Sequence, residues 1–106
     1  MRIAIHQPQF MPWLGYFDKM DKADVFVLLD NVQFKKNEFQ NRNKIKTVDS
    51  WMWLTVPVSF SFGDKIMDVK IDNRDNWQKK HLHTIQTNYG KACFFKEYYP
   101  QFEGLY

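Results

Sequence analysis

The chain has 106 residues, 15 basic and 12 acidic side chains for a net charge of +3, and an aromatic share of ten Phe, five Tyr and four Trp. That length allows one domain with a single core, and side chains that bury such large areas exclude a disordered chain. No run approaches the roughly 20 apolar residues of a membrane span, a lone Cys93 excludes an internal disulfide and a cysteine-based zinc site, and so mild a charge does not by itself argue for nucleic acid, whose binding needs a concentrated patch.

The N-terminus also lacks the basic segment and longer apolar core of a signal peptide. Together these features place the chain in the cytoplasm, with no membrane insertion and no nucleic-acid partner expected.

Ile3, Ala4 and Ile5 read as a short buried strand that ends at His6. Pro8 and Pro12 each remove an amide donor and bias Gln7 and Met11 to an extended backbone. An ordered loop therefore follows the strand. In open α/β sheets ligands gather outside the carboxyl ends of strands, so His6 and Gln7 are candidate site residues. Capping and packing are the ordinary roles of such a His, and Phe10, Trp13, Tyr16 and Phe17 fit a core as well as a site.

Leu14 to Lys22 reads as a short helix, with apolar residues on one face and Asp18, Lys19, Asp21 and Lys22 on the other. Val25 to Leu29 is a continuous apolar run, the pattern of a parallel strand covered on both faces. Strand, helix and strand over this span make a βαβ unit. Asp30 ends the second strand beside His6, where its carboxylate is expected to orient the imidazole.

Val32 to Lys46 reads as irregular and polar, carrying Gln33, Lys35, Lys36, Asn41, Arg42 and Asn43. Arg holds carboxylate or phosphate through two parallel bonds, so this stretch is a candidate anion site. A solvated loop turned by Asn side chains is the other reading. Trp51 to Val58 is predicted as a third strand, with Pro57 near its end. Ser59 to Asp64 follows as a turn, and Lys65 to Ile71 as a half-exposed strand.

Periodicity predicts a helix from Arg74 to Asn88 closed by Gly90, then a second helix through Phe94, Phe95, Tyr98 and Tyr99 that stops near Pro100. His81 and His83 fall on different helix faces, so no metal site is expected. The four glycines form no phosphate-cradling cluster, and the cofactor stays unassigned. The fold expected is α/β: one domain, 1–106, with an N-terminal βαβ unit, a mostly parallel Rossmann-like three-layer sheet, and C-terminal helices.

Three spaced motifs carry a resemblance. Ile5-His6-Gln7-Pro8 with Pro12 and Leu14-Gly15-Tyr16-Phe17, then Asp30 to Phe34, then Asn41-Arg42-Asn43, resemble the N-terminal half of the WbqC-like family. The resemblance implies a longer family domain, of which this chain is an incomplete N-terminal half. It also implies a bacterial transferase of surface-polysaccharide (O-antigen-like) assembly, acting on a sugar or acyl donor. The polar family positions carried over are His6, Gln7, Asp30, Gln33, Asn41, Arg42 and Asn43.

A weaker resemblance, at the level of fold, is to nucleotidylyltransferase-type α/β domains such as pantoate–β-alanine ligase. Those carry His-x-Gly-His where this chain has Trp13-Leu14-Gly15-Tyr16, so their chemistry does not transfer with the architecture.

On this reading His6 is general acid or base, oriented by Asp30. Gln7 and Gln33 bind polar substrate groups, while Lys35, Asn41, Arg42 and Asn43 hold a small-molecule substrate by its phosphate or carboxylate. A non-catalytic module binding a nucleotide or phosphorylated sugar is the alternative. A homodimer is the partner expected if apolar surface is left open.

Overall fold

The computed structural model describes residues 1–106, a mixed α/β chain with three helices and three two-stranded sheets. The order is β1 (Ile3–His6), α1 (Leu14–Lys22), β2 (Val25–Leu28), β3 (Arg42–Lys46), β4 (Trp51–Thr55), β5 (Val58–Ser59), β6 (Lys70–Ile71), α2 (Trp77–Tyr89) and α3 (Phe95–Gly104). The chain divides into two compact units, Met1–Asn43 with Thr55–Asp72, and Lys44–Leu54 with Asn73–Tyr106.

In the first unit the predicted βαβ motif is present. β1 and β2 pair in parallel, Ile3 opposite Val25 through His6 opposite Leu28, and the ladder continues as the Leu29 amide donates to the His6 carbonyl at 2.8 Å. Helix α1 covers one face: Tyr16 is 4% exposed and its ring lies 5.4 Å from that of Phe26, edge to face. Lys19 reaches over to donate to the Ile5 carbonyl at 3.0 Å. The other face carries Ile3, Ile5, Val25 and Val27, all exposed. The apolar runs thus mark a parallel pair as predicted, but one covered on a single face.

The wider sheet differs from the expectation. β1 and β2 are parallel, whereas β5 and β6 pair antiparallel, Val58 opposite Ile71. The single strand predicted over Trp51 to Val58 breaks after Thr55. Pro57 has no amide to extend a ladder, and the Val56 amide donates instead to the Asn41 carbonyl at 2.7 Å. The strand predicted over Lys65 to Ile71 is a 3-10 turn, Ile66–Asp68, followed by the two residues of β6.

The second unit buries Ile45, Leu54 and His81. The stretch read as irregular becomes strand β3 from Arg42, which pairs with β4. The turn between them closes with the Thr47 amide donating to the Ser50 carbonyl at 3.1 Å. The Lys44 ammonium lies 4.3 Å from the Trp51 ring centre, and the Lys46 amide donates to the Tyr89 hydroxyl at 2.8 Å.

Helix α3 runs through Pro100 instead of stopping there. Pro100 has no amide to offer the Lys96 carbonyl, and both residues are exposed to solvent. Phe95 and Tyr99, stacked with centroids 4.6 Å apart, hold the turn together across the proline.

Candidate functional site

The loop from Gln7 to Pro12 is strapped onto the segment Phe39 to Asn43, both in the first unit. The Gln40 carboxamide donates to the Gln7 side-chain oxygen at 2.9 Å, and the Phe10 amide donates to the Phe39 carbonyl at 3.0 Å. Asn43 donates through Nδ2 to the carbonyls of Phe10, 3.3 Å, and Met11, 2.7 Å. Met11 has φ of 44°, where an extended backbone was predicted. The Asn43 bond to its carbonyl fixes this left-handed turn, which side chains other than glycine rarely adopt.

His6 sits where the sequence placed it, at the carboxyl end of β1. Its Nδ1 is 2.9 Å from the Gln7 carbonyl, an acceptor only, so the neutral ring carries its proton on Nδ1 and keeps a lone pair on Nε2. The same carbonyl accepts the Tyr16 hydroxyl at 3.1 Å, and the two rings meet edge to face at 4.7 Å. Burial pushes the Tyr16 phenol upward, which keeps it a donor across the physiological range. The group orienting His6 is therefore a backbone carbonyl supported by Tyr16. Asp30, half-buried, accepts the Met67 amide on its own carbonyl at 2.9 Å.

The second and third motifs are tied into the same unit by different partners. Gln33 forms a bridge with Lys65, and the Phe34 amide donates to the Asp64 carbonyl at 2.8 Å. The Lys35 amide donates to the Gln40 side-chain oxygen at 3.0 Å, which leaves its exposed ammonium in solvent. Asn41 donates to the Val56 carbonyl at 2.9 Å, and the Arg42 guanidinium donates to the carbonyl of Asn37.

Two clefts share a wall of Phe34, Asn41, Val56 and Val58. One, of about 290 Å³, is mostly apolar, with Gln9, Gln40, Ile66 and Ile71 on its sides. The other, of about 330 Å³, brings Lys36, Asn37 and Arg42 together. Of the predicted anion-binding residues, Asn41 and Arg42 line this cationic cleft, with Lys36 beside them in place of Lys35. Asn43 lines a third cavity with Gln9, Trp13 and Phe39. The walls of these two clefts do not include His6, Gln7, Asp30 or Gln33. Gln40 escaped the sequence reading because nothing in its neighbours marks a partner 33 residues away.

The model of the WbqC-like protein family matches residues 7–106. The chain belongs to the WbqC-like family. The match begins at Gln7, so the strapped loop and the Asn41-Arg42-Asn43 segment both lie inside it. A relative, the uncharacterized protein Rv1507c of Mycobacterium tuberculosis (strain ATCC 25618 / H37Rv), is 40% identical over 98 residues. The aligned region covers 91% of this chain and 42% of that relative, so the chain spans less than half the relative's length. No solved structure matches this WbqC-like chain.

Proposed function

We propose that this chain carries the donor-binding part of a transferase in bacterial surface-polysaccharide assembly, working on the cytoplasmic side of the membrane. The observation that supports the reading is the strap of Asn43 and Gln40 onto the Gln7–Met11 loop. It draws two motifs far apart in sequence into one rigid frame beside a cationic cleft. Lys36, Asn41 and Arg42 hold the phosphate or carboxylate of a small-molecule donor there, with Lys35 at the rim. A guanidinium suits such an anion because its paired N–H groups match two oxygens at once.

His6 acts as general base through Nε2, its other nitrogen being held by Gln7. An imidazole serves proton abstraction from a hydroxyl or amine near neutral pH. On this reading the β1–α1–β2 unit opens a mostly parallel Rossmann-like three-layer sheet, and Asp30 and Gln33 serve at its carboxyl edge. The exposed Ile3, Ile5, Val25 and Val27 face is covered in the working protein, by a second copy in a homodimer. No helix is long and apolar enough to cross a membrane.

A second reading, a module that binds without catalysing, draws on the separation of His6 from the cationic cleft. One experiment tests both. The chain is screened by thermal shift against nucleotide sugars, coenzyme A thioesters and inorganic phosphate, and hits are then incubated with acceptor sugars. A ligand at a hundredfold its dissociation constant stabilises by about 2.7 kcal/mol. Stabilisation lost in Arg42→Ala, with turnover lost in His6→Ala, is the result expected of a transferase. Stabilisation without turnover in any variant leaves the binding module. No stabilisation by any anion removes both readings.

A further inference from the structure

Gly15 decides where the Trp13 indole lies. A Cβ at position 15 would fall 1.9 Å from Cζ3 and 2.1 Å from Cη2 of Trp13, so the six-membered ring occupies the space of the absent side chain. Trp13 is nonetheless 66% exposed. A large apolar ring is thus seated on the start of α1 by a glycine and left open to solvent on the side away from it.

That ring forms one wall of a cavity of about 300 Å³, completed by Gln9, Phe39 and Asn43. Ligand pockets start at roughly this size and pair apolar walls with a few placed polar groups. Phe39 is itself exposed. Asn43 has both amide hydrogens committed to the Phe10 and Met11 carbonyls, which makes it a fixed wall. Gln9, half-buried, brings a carboxamide that both donates and accepts. No lining residue carries a charge.

We propose that this cavity is a subsite for a neutral pyranose ring. The apolar C–H face of the sugar stacks on the Trp13 indole, Phe39 closes the far side, and ring hydroxyls bond the Gln9 carboxamide. A hydroxyl is at once donor and acceptor, which suits an amide that offers both. A nucleotide would also stack here, but its phosphates call for a cation that the wall lacks. The subsite deepens the transferase reading by naming the sugar as the group bound beside the loop, and it rests on that reading only for the sugar's role in a reaction.

The test is saturation-transfer NMR on the 106-residue chain, with methyl β-glucopyranoside, methyl β-galactopyranoside and the methyl glycoside of N-acetylglucosamine as probes and adenosine as the counter-probe. Transfer to the ring C–H protons of at least one glycoside is expected, with affinity weakened about tenfold or more in Trp13→Ala, as for other stacked rings.

Gly15→Ala must displace the indole, so it should lose the signal while its melting temperature holds or rises, since alanine is the better helix former. A purely structural Trp13 would lose stability and no ligand signal. Silence from all three glycosides, signal retained in both variants, or saturation of adenosine alone each overturns the proposal. Arg42→Ala separates the two readings: it should abolish anion binding and leave glycoside binding unchanged. A chain that stacks glycosides yet transfers nothing loses the transferase and keeps the subsite.

Discussion

Asn43 donates to the Met11 carbonyl at 2.7 Å while Met11 turns through a left-handed φ of 44°. The two facts belong together. Pro12 steers the residue before it away from the helical region, and the Asn43 bond selects the left-handed turn among what remains. The same amide also holds Phe10, so one side chain from the start of β3 sets the path of the loop.

Asn43→Ala is expected to lower stability by about 1–3 kcal/mol, the cost of leaving half-buried carbonyls without a donor. In a domain of this size that corresponds to a fall in melting temperature of several degrees. Asn43→Asp should fare worse, since a carboxylate faces those carbonyls with no hydrogen to donate. Hydrogen exchange at the Phe10 amide, bonded to Phe39 at 3.0 Å, reports whether the loop has come loose. Unchanged exchange in Asn43→Ala would show that the other straps suffice.

Met11 itself gives the complementary measurement. A left-handed conformation costs a residue with a side chain about 1–2 kcal/mol. Glycine removes that cost but loses more entropy on folding, by about 0.5–1 kcal/mol. Met11→Gly should therefore stay within about 1 kcal/mol of the parent chain. Met11→Val should be clearly less stable, because a β-branched residue tolerates positive φ worst. Equal denaturation midpoints for the two variants would remove the account of strain at this turn.

How much of this was legible in the sequence follows from how local each signal is. The β1–α1–β2 unit showed itself because two apolar runs flank one amphipathic segment, and periodicity is a local property. The loop after His6 showed itself through Pro8 and Pro12. Strand β3 did not, since Arg42–Lys46 buries only Ile45 and reads as polar. The break before Pro57 depends on Asn41, fifteen residues upstream, taking the Val56 amide. Asn41 and Arg42 stand out in the sequence by their side-chain chemistry, and both line the cationic cleft. Gln40 and Phe39 act through partners far along the chain, and the role of Gly15 is visible only once the Trp13 rotamer is known.

Pro100 inside α3 is a second place where a local rule yields to packing. A proline in a helix interior costs about 3 kcal/mol through its lost bond and ring clash. Here Lys96 and Pro100 are exposed, so solvent recovers part of that, and Pro100→Ala should stabilise the chain by about 1–2 kcal/mol. Helical ellipticity should rise with the melting temperature. A variant that melts lower would mean that the proline-bent path is needed for Phe95, Tyr99 and Phe102 to pack.

The second unit should lose stability in alkali through one pair. His81 is 5% exposed, and its Nδ1 lies 3.0 Å from the Tyr106 hydroxyl. The Trp77 ring sits 5.1 Å from the imidazole. Burial pushes the Tyr106 phenol up to about 12 from 10.0. Below pH 10 the phenol is protonated in both folded and unfolded chains, and its contribution is fully present. As pH rises from about 10 to about 12 the unfolded chain ionises first, so stability falls across that window and levels above it. Tyr106→Phe removes the ionisable group and should flatten that part of the profile. The chain's urea midpoint, followed by the near-ultraviolet signal of its tryptophans, is the measurement to use. A decline of the same depth in Tyr106→Phe would assign the alkaline loss to other groups, Tyr16 and Tyr99 first, whose phenols burial also raises.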